Sequence, residues 1–503
     1  MRFTFNNEPK GSFSSDVYAL GVWHSDKISL ESTEISNEIK TAVLQDLKRR
    51  SWTGKEGETL LFPILGLAKY KYLLIVGLGE KRNFKEINLR TVGAKLIKAT
   101  SSHQLKTLSV DYNVFSSAKD LAASLQFFTE GVLLASYQFT AFKKHTAKDE
   151  LKKKTIDQIF LPSGSILDKK TMEKGIELGN IYAEATCLAR DMVNTPSMQM
   201  HPDQMVKIAQ DLSGRGTSIT CKVRGRDEMA KLGMHASLAV GQGSVHEPKF
   251  VHLIYKPKKV TKNTKKIVLV GKAVTFDSGG LNLKPDNGIT DMKIDMAGAA
   301  TVLGVFKALP HIKPNTEVHG LFIAVENMPG GNAYRPGDVI SAMDGTTIEV
   351  ENTDAEGRIT LADALAYASL KIKPDQIIDL ATLTGAVIIA LGSEITGMLG
   401  NDVNLKKALF TSAKKSGEYV WELPMHPAYK ETIKSKIADI KNVGGRPAGV
   451  ITAAQFLERF THKVPWVHLD IAGPCYAEKE SRPEWTIGGT GWGVRTLLYL
   501  INQ

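Results

Sequence analysis

Within Asn352-Thr353-Asp354-Ala355-Glu356-Gly357-Arg358, two carboxylates and a guanidinium follow one another at two-residue spacing. In extended chain, alternate residues point the same way. Two carboxylates aimed at one place repel unless a cation lies between them, and a divalent metal is the usual answer. Arg358 is a planar donor fork suited to an oxyanion beside such a metal. The alternative is an acidic loop at a helix start, where Asp and Glu are favoured by the helix dipole.

The flanking elements bear on the choice. Thr346 to Val350 is a β-branched run, and Ile359, Leu361, Ala364, Leu365, Ala368 and Leu370 follow at helical spacing, so the heptapeptide is expected on a strand-to-helix loop. Upstream, Ile267 to Val270 reads as a buried strand with Gly271-Lys272 at its end, followed by a glycine-containing loop with Asp277 and Lys284. Met292 to Asp295 leads into a small-residue helix over Ala297 to Leu309, and further strands are expected over Val318 to Val325 and Ile377 to Leu383. Ligands of open α/β sheets bind beyond the carboxyl ends of strands, where Lys272, Asp277, Asp295 and the 354–358 loop are expected to fall. That coincidence favours a site over a capped helix.

Asp277, Asp295, Asp354 and Glu356 together suit two divalent cations about 3.5–4 Å apart better than one. An oxygen-only set favours manganese or magnesium, and a nitrogen donor shifts the choice towards zinc. The candidate nitrogen is Lys272, which on spacing alone reads as a charge partner. No histidine falls in these loops and no His-Glu-x-x-His helix is present. This excludes that kind of zinc protease and argues against a two-metal phosphoesterase, which usually adds histidines.

The composition is that of a soluble globular protein, with 503 residues, 43% hydrophobic and 23% charged. The length calls for two or more domains. The N-terminus lacks the apolar core of a signal peptide, no run approaches a membrane span, and Cys187, Cys221 and Cys475 are too scattered for a metal or disulfide framework. A cytoplasmic chain with reduced thiols is expected. The net charge of +11 raises nucleic-acid binding. Its lysine clusters, Lys143 to Lys154 and Lys256 to Lys266, carry no interleaved aromatics and read as solvated loops.

Along the chain, strands alternate with helices from the start to Leu161, which predicts a smaller N-terminal α/β domain over 1–167. A linking helix spans 168–192, and a larger catalytic α/β domain spans 193–503, with a mixed, mainly parallel central sheet flanked by helices. Gly77-Leu78-Gly79 ends the strand 72–76 and suggests a dinucleotide turn, but Arg82 stands where the third glycine belongs, so a tight turn is expected instead.

The segments 271–280 (GKAVTFDSGG), Lys284-Pro285, 295–300 (DMAGAA) and 352–358 (NTDAEGR) resemble the leucyl (cytosol) aminopeptidase family, which includes bacterial aminopeptidase A. The heptapeptide is that family's specific signature. The likeness continues through Asn194-Thr195-Pro196, 326–331, 334–338, 381–385 and 468–473, covering essentially all of the second domain. It implies that Asp277 and Glu356 bridge two cations, that Asp354 completes a looser site, and that Lys272 and Asp295 complete a tighter one. It also implies a catalytic Lys284, and an Arg358 that holds a bicarbonate serving as general base. Met292 with Thr382 or Gly385 would line an apolar side-chain pocket favouring leucine or methionine. Peptide substrates, manganese or zinc, a homohexamer and, in some bacterial members, DNA binding are implied as well. Ala273 and Ala297 depart from the commonest form, in which glycine is frequent at both positions.

Overall fold

The computed structural model describes residues 1–6, 14–101, 103–117, 119–143, 156–162, 168–214 and 216–502. Most of the lysine cluster following Lys143 lies outside them. Two compact units are present, one of residues 1–184 with 479–486, the other of residues 185–478 with 487–503. The helix Lys169–Asn194 is shared between them.

The first unit holds a six-stranded sheet of β1 (Arg2–Asn6), β2 (Ser15–Trp23), β3 (Thr59–Pro63), β4 (Tyr70–Gly79), β5 (Thr107–Val110) and β6 (Gln158–Pro162), in the order β1-β6-β5-β2-β4-β3. All neighbours run parallel except β3, which is antiparallel to β4. The helices Asn88–Thr100 and Leu121–Ala135 pack together across a buried ion pair, Arg90 Nη2 to Glu130 Oε2 at 2.5 Å. The turn expected at Gly77-Leu78-Gly79 is not formed. β4 continues through these residues, with Gly77 opposite Val22 and Gly79 opposite Trp23.

The second unit is built on an eight-stranded sheet. Its strands are β7 (Ile219–Arg224), β8 (Lys249–Tyr255), β9 (Lys266–Asp277), β10 (Glu317–Asn327), then, beyond the short β11 (Val339–Ser341) and β12 (Thr347–Glu349), β13 (Gln376–Ala381), β14 (Ile395–Gly400) and β15 (Tyr419–Glu422). β16 (Ile440–Lys441) joins β11 and β12 in a separate small sheet, and β17 (Trp466–Asp470) completes the large one. The order is β15-β14-β17-β13-β9-β10-β8-β7. β17, β13, β9 and β10 form a parallel centre, whereas β8, β7 and β14 enter antiparallel, so the sheet is mixed.

β9 is the central strand and is buried almost throughout, as its unbroken apolar run requires. Two later strands flank it in the sheet, β10 on one side and β13 on the other. This is the switch point at which α/β sheets open a crevice. The helices Ala297–Ile312 and Glu356–Tyr367 both pack on β9, the second with every residue buried.

Away from that crevice, His252 Nε2 and His319 Nδ1 lie 2.8 Å apart, and His319 Nε2 is 2.8 Å from Glu317 Oε1. Burial, with the facing imidazole next, pushes His252 down to about 3, and burial also lowers His319. Depressed folded-state values mean that the unfolded chain binds more protons between about 6.5 and 3, so stability falls as pH drops through that window. Acid unfolding of His252→Gln should therefore show a shallower pH dependence than the parent. Parallel curves would count against this assignment.

Candidate metal centre

The buried acids converge beyond the carboxyl end of β9. Donor oxygens of Asp277, Asp295 and Glu356 all lie within 4.8 Å of one another, and these three residues are at most 4% exposed. Asp277 ends β9. Asp295 follows a short helical turn, Met292–Ile294, and Glu356 opens the helix Glu356–Tyr367. Only Asp277 therefore occupies the strand-end position expected of all of them. Lys272 is not at a strand end either, because β9 continues through it to Asp277, and its side chain reaches the cluster from within the sheet. The 354–358 segment follows β12, which belongs to the small sheet.

Asp277 and Asp295 each have one oxygen held by hydrogen bonds. Asp277 Oδ1 accepts from Gly279 N–H at 2.9 Å and Asn327 Nδ2 at 2.8 Å. Asp295 Oδ1 accepts from the Thr382 hydroxyl at 2.7 Å. The turn that returns the Gly279 N–H to Asp277 needs φ of +87° at Gly279 and +65° at Gly280, where side chains are strained. Two lysines also face the acids. Lys272 Nζ is 2.8 Å from both Asp295 Oδ1 and Glu356 Oε1 and donates to Thr382 O at 3.0 Å. Lys284 Nζ is 2.8 Å from Asp277 Oδ2 and 2.6 Å from Asp354 Oδ1.

Four carboxylates thus face two ammonium groups. Burial raises the pKa of Asp295, and burial with the neighbouring Asp277 charge raises Asp354 and Glu356. Burial alone would depress both lysines, but the surrounding acids outweigh it and raise them. Asp295 Oδ2 and Glu356 Oε2 are buried without a hydrogen-bond partner. Buried carboxylate oxygens are ordinarily satisfied, so the excess of negative charge and the unpartnered oxygens fit divalent cations. Arg358 fits an anion in the same way. Its Nη1 donates to Asn442 O at 2.7 Å, while Nε is buried without a partner. Burial brings its pKa down to about 10.

Of the residues expected to line a side-chain pocket, Met292 starts the turn before Asp295, and Thr382 is engaged by Asp295 and Lys272. Gly385 is exposed at the start of the helix Gly385–Leu391, with open space where a Cβ would stand.

Sequence reasoning assigned no role to the supports. Asn327 Nδ2 and the Tyr334 hydroxyl both donate to Thr353 O, at 3.0 and 2.7 Å, fixing the heptapeptide against Asp277. Asp470 holds the loop after β13 by accepting from Leu383 N–H at 3.1 Å and the Thr384 hydroxyl at 2.7 Å. Asn327, Tyr334, Thr353 and Asp470 lie inside segments that carry the family likeness. Asn442 does not, and it gave no signal.

Gly357 supports a sharp test. A Cβ there would stand 2.5 Å from Lys272 Cε and 2.6 Å from Nζ. Alanine suits the helix better than glycine, so Gly357→Ala should keep the fold while displacing Lys272. An activity loss of roughly ten- to hundredfold is expected for such a misplacement. Unchanged rates would mean that the position of Lys272 is immaterial.

An α/β fold with an acid-rich centre of this kind at its switch point is that of a metal-dependent hydrolase. Residues 187–498 match the catalytic domain of the cytosol aminopeptidase family, and residues 19–146 match its N-terminal domain. A probable cytosol aminopeptidase of Persephonella marina is 41% identical over 95% of this chain and 94% of its own length. One from Aquifex aeolicus is 44% identical over 93% and 91%. Among solved structures, a tomato leucine aminopeptidase with one lysine-to-glutamate substitution superposes with TM-score 0.86 at 31% identity, covering 99% of this chain and 96% of that one. The bottromycin maturation enzyme BotP in complex with Mn superposes with TM-score 0.84 at 31% identity, covering 97% and 99%. The chain belongs to the cytosol aminopeptidase family and is a metal-dependent aminopeptidase. Among the described residues, no helix is long and apolar enough to cross a membrane.

Proposed function

We propose that the chain is a leucyl-type aminopeptidase, releasing N-terminal leucine and other apolar residues from peptides in the cytoplasm as part of intracellular peptide and protein turnover. The observation that carries this is the pair of buried oxygens without a hydrogen-bond partner, Asp295 Oδ2 and Glu356 Oε2, on the two acids that flank Lys272. Lys272, Asp277, Asp295, Asp354 and Glu356 would hold two divalent cations, manganese or zinc. The manganese in the BotP complex supports the former. Bound there, such cations polarise the scissile carbonyl and acidify a water towards hydroxide near neutral pH.

The chain's own groups do the rest. Lys272 Nζ, an ammonium facing Asp295 and Glu356, would have to release its proton to serve as a ligand nitrogen. Lys284 Nζ keeps its proton and donates to the oxyanion of the tetrahedral intermediate. Arg358 Nε would hold bicarbonate, a group that would supply general-base chemistry there. Met292, Thr382 and Gly385 border the side-chain pocket, and Gly385 supplies open space. A homohexamer is proposed from the family resemblance. DNA binding is a second reading, supported by the +11 charge and by Lys256, Lys258, Lys259, Lys262 and Lys265, exposed between β8 and β9. It predicts a salt-dependent mobility shift of duplex.

Leucine p-nitroanilide hydrolysis should vanish when the protein is stripped with chelator and return with manganese or zinc. The N-acetylated substrate should not be cleaved, because a blocked amine cannot ligate a cation. Its turnover at a comparable rate would overturn the exopeptidase assignment.

A further inference from the structure

We propose that His201, Asp203 and His246 form a further divalent-cation site, of zinc type, separate from the catalytic centre. Donor atoms of the three side chains lie within 4.8 Å of one another. Two imidazoles and one carboxylate are a donor set that suits zinc, unlike the oxygen-rich set around Asp277.

The arrangement is held from both sides. His201 caps the helix Pro202–Leu212 and Asp203 sits in its first turn. His246 arrives on the loop before β8, where its N–H donates to Ser244 Oγ at 2.9 Å and that hydroxyl donates to Glu326 Oε2 at 2.5 Å. The two imidazole rings stack with centroids 4.6 Å apart and planes 7° apart. Tetrahedral zinc places its donors roughly 3.3 Å from one another, so ring rotations and a small closure would complete the set, with water in the fourth position.

Two observations favour a ligand over simple ring stacking. His201 Nδ1 is buried with no hydrogen-bond partner, which is uncommon for a buried polar atom. The spot already attracts a cation, since Lys249 Nζ stands 3.5 Å from Asp203 Oδ1 and 3.3 Å from Glu247 Oε2. Those separations are longer than a tight ion pair, and a divalent ion would displace the ammonium. A bound cation would tie the start of the helix Pro202–Leu212 to the loop entering β8.

The test counts metal. The full chain, His201→Gln and His246→Gln are saturated with manganese, dialysed against chelator-buffered zinc and analysed for metal per chain. The parent should hold one more zinc than either variant, and all three should hydrolyse leucine p-nitroanilide alike. Cobalt in place of zinc should give the parent a visible absorption band that both variants lack. Lys249→Gln keeps all three donors, folds independently of the histidine substitutions and should bind zinc several-fold more tightly. Equal zinc in parent and folded histidine variants, or zinc binding to Lys249→Gln no tighter than to the parent, would overturn the proposal.

Discussion

Glu356→Ala is expected to reduce peptide hydrolysis to background while the chain stays folded. Glu356 is 1% exposed at the head of a helix whose every residue is buried, so its carboxylate can turn only towards the centre. One oxygen meets Lys272 and the other has no partner. As a proposed bridge between two cations it would serve both sites, so its removal should lower the metal content as well as the rate. The fold should tolerate the change, because burial and the nearby Asp277 charge already disfavour ionised Glu356. Lys272 keeps Asp295 as a partner when Glu356 is removed, so the variant bears chiefly the cost of a small cavity. Metal per chain, the leucine p-nitroanilide rate and a thermal melt decide it. Near-normal rates in a folded variant would sink the proposed ligand set.

Which of this was legible in the sequence depends on how local each feature is. The heptapeptide carries its chemistry in its own spacing, and the alternation of apolar runs gives the α/β class directly. Lys272 misled because the apolar run 267–270 reads as a complete strand. Its continuation to Asp277 is set by pairing with β10, which extends the register from Lys266 to Asp277. The same failure put a turn at Gly77, where β4 pairs onward with β2 through a register shift and Gly79 takes a φ of +75°. Asp295 reached the centre through a helical turn, not a strand end, and nothing local distinguishes the two.

The supporting residues were invisible for a different reason. Asn442 O receives Arg358 Nη1 across 84 residues of chain, and Asp470 holds Leu383 across 87. Such contacts are created by sheet order, which the periodicity of single strands does not encode. The buried pair His468 Nδ1 and Asp379 Oδ1, 2.6 Å apart on neighbouring parallel strands, is another product of β13 lying beside β17.

Lys284→Met should lower kcat by about 10²–10³, the usual cost of removing one donor to a developing oxyanion, with little change in KM. Lys284 stands between Asp277 and Asp354 on a loop pinned by its own N–H, which donates to Ser278 O at 2.9 Å. Burial disfavours its charge, but Asp277, Glu356 and Asp354 more than compensate, so the ammonium persists through neutral pH. A charge fixed among these acids, its side chain 16% exposed, acts where water screens poorly. Methionine keeps the length and apolar stem while removing the charge. Because Lys284 is not among the proposed ligands, metal content should be retained, which separates this variant from Glu356→Ala. Lys284→Arg should recover part of the rate, since it restores a cation with different donor geometry. A variant that raised KM at constant kcat would instead place Lys284 in ground-state binding. The developing oxyanion would then have to rely on the cations alone.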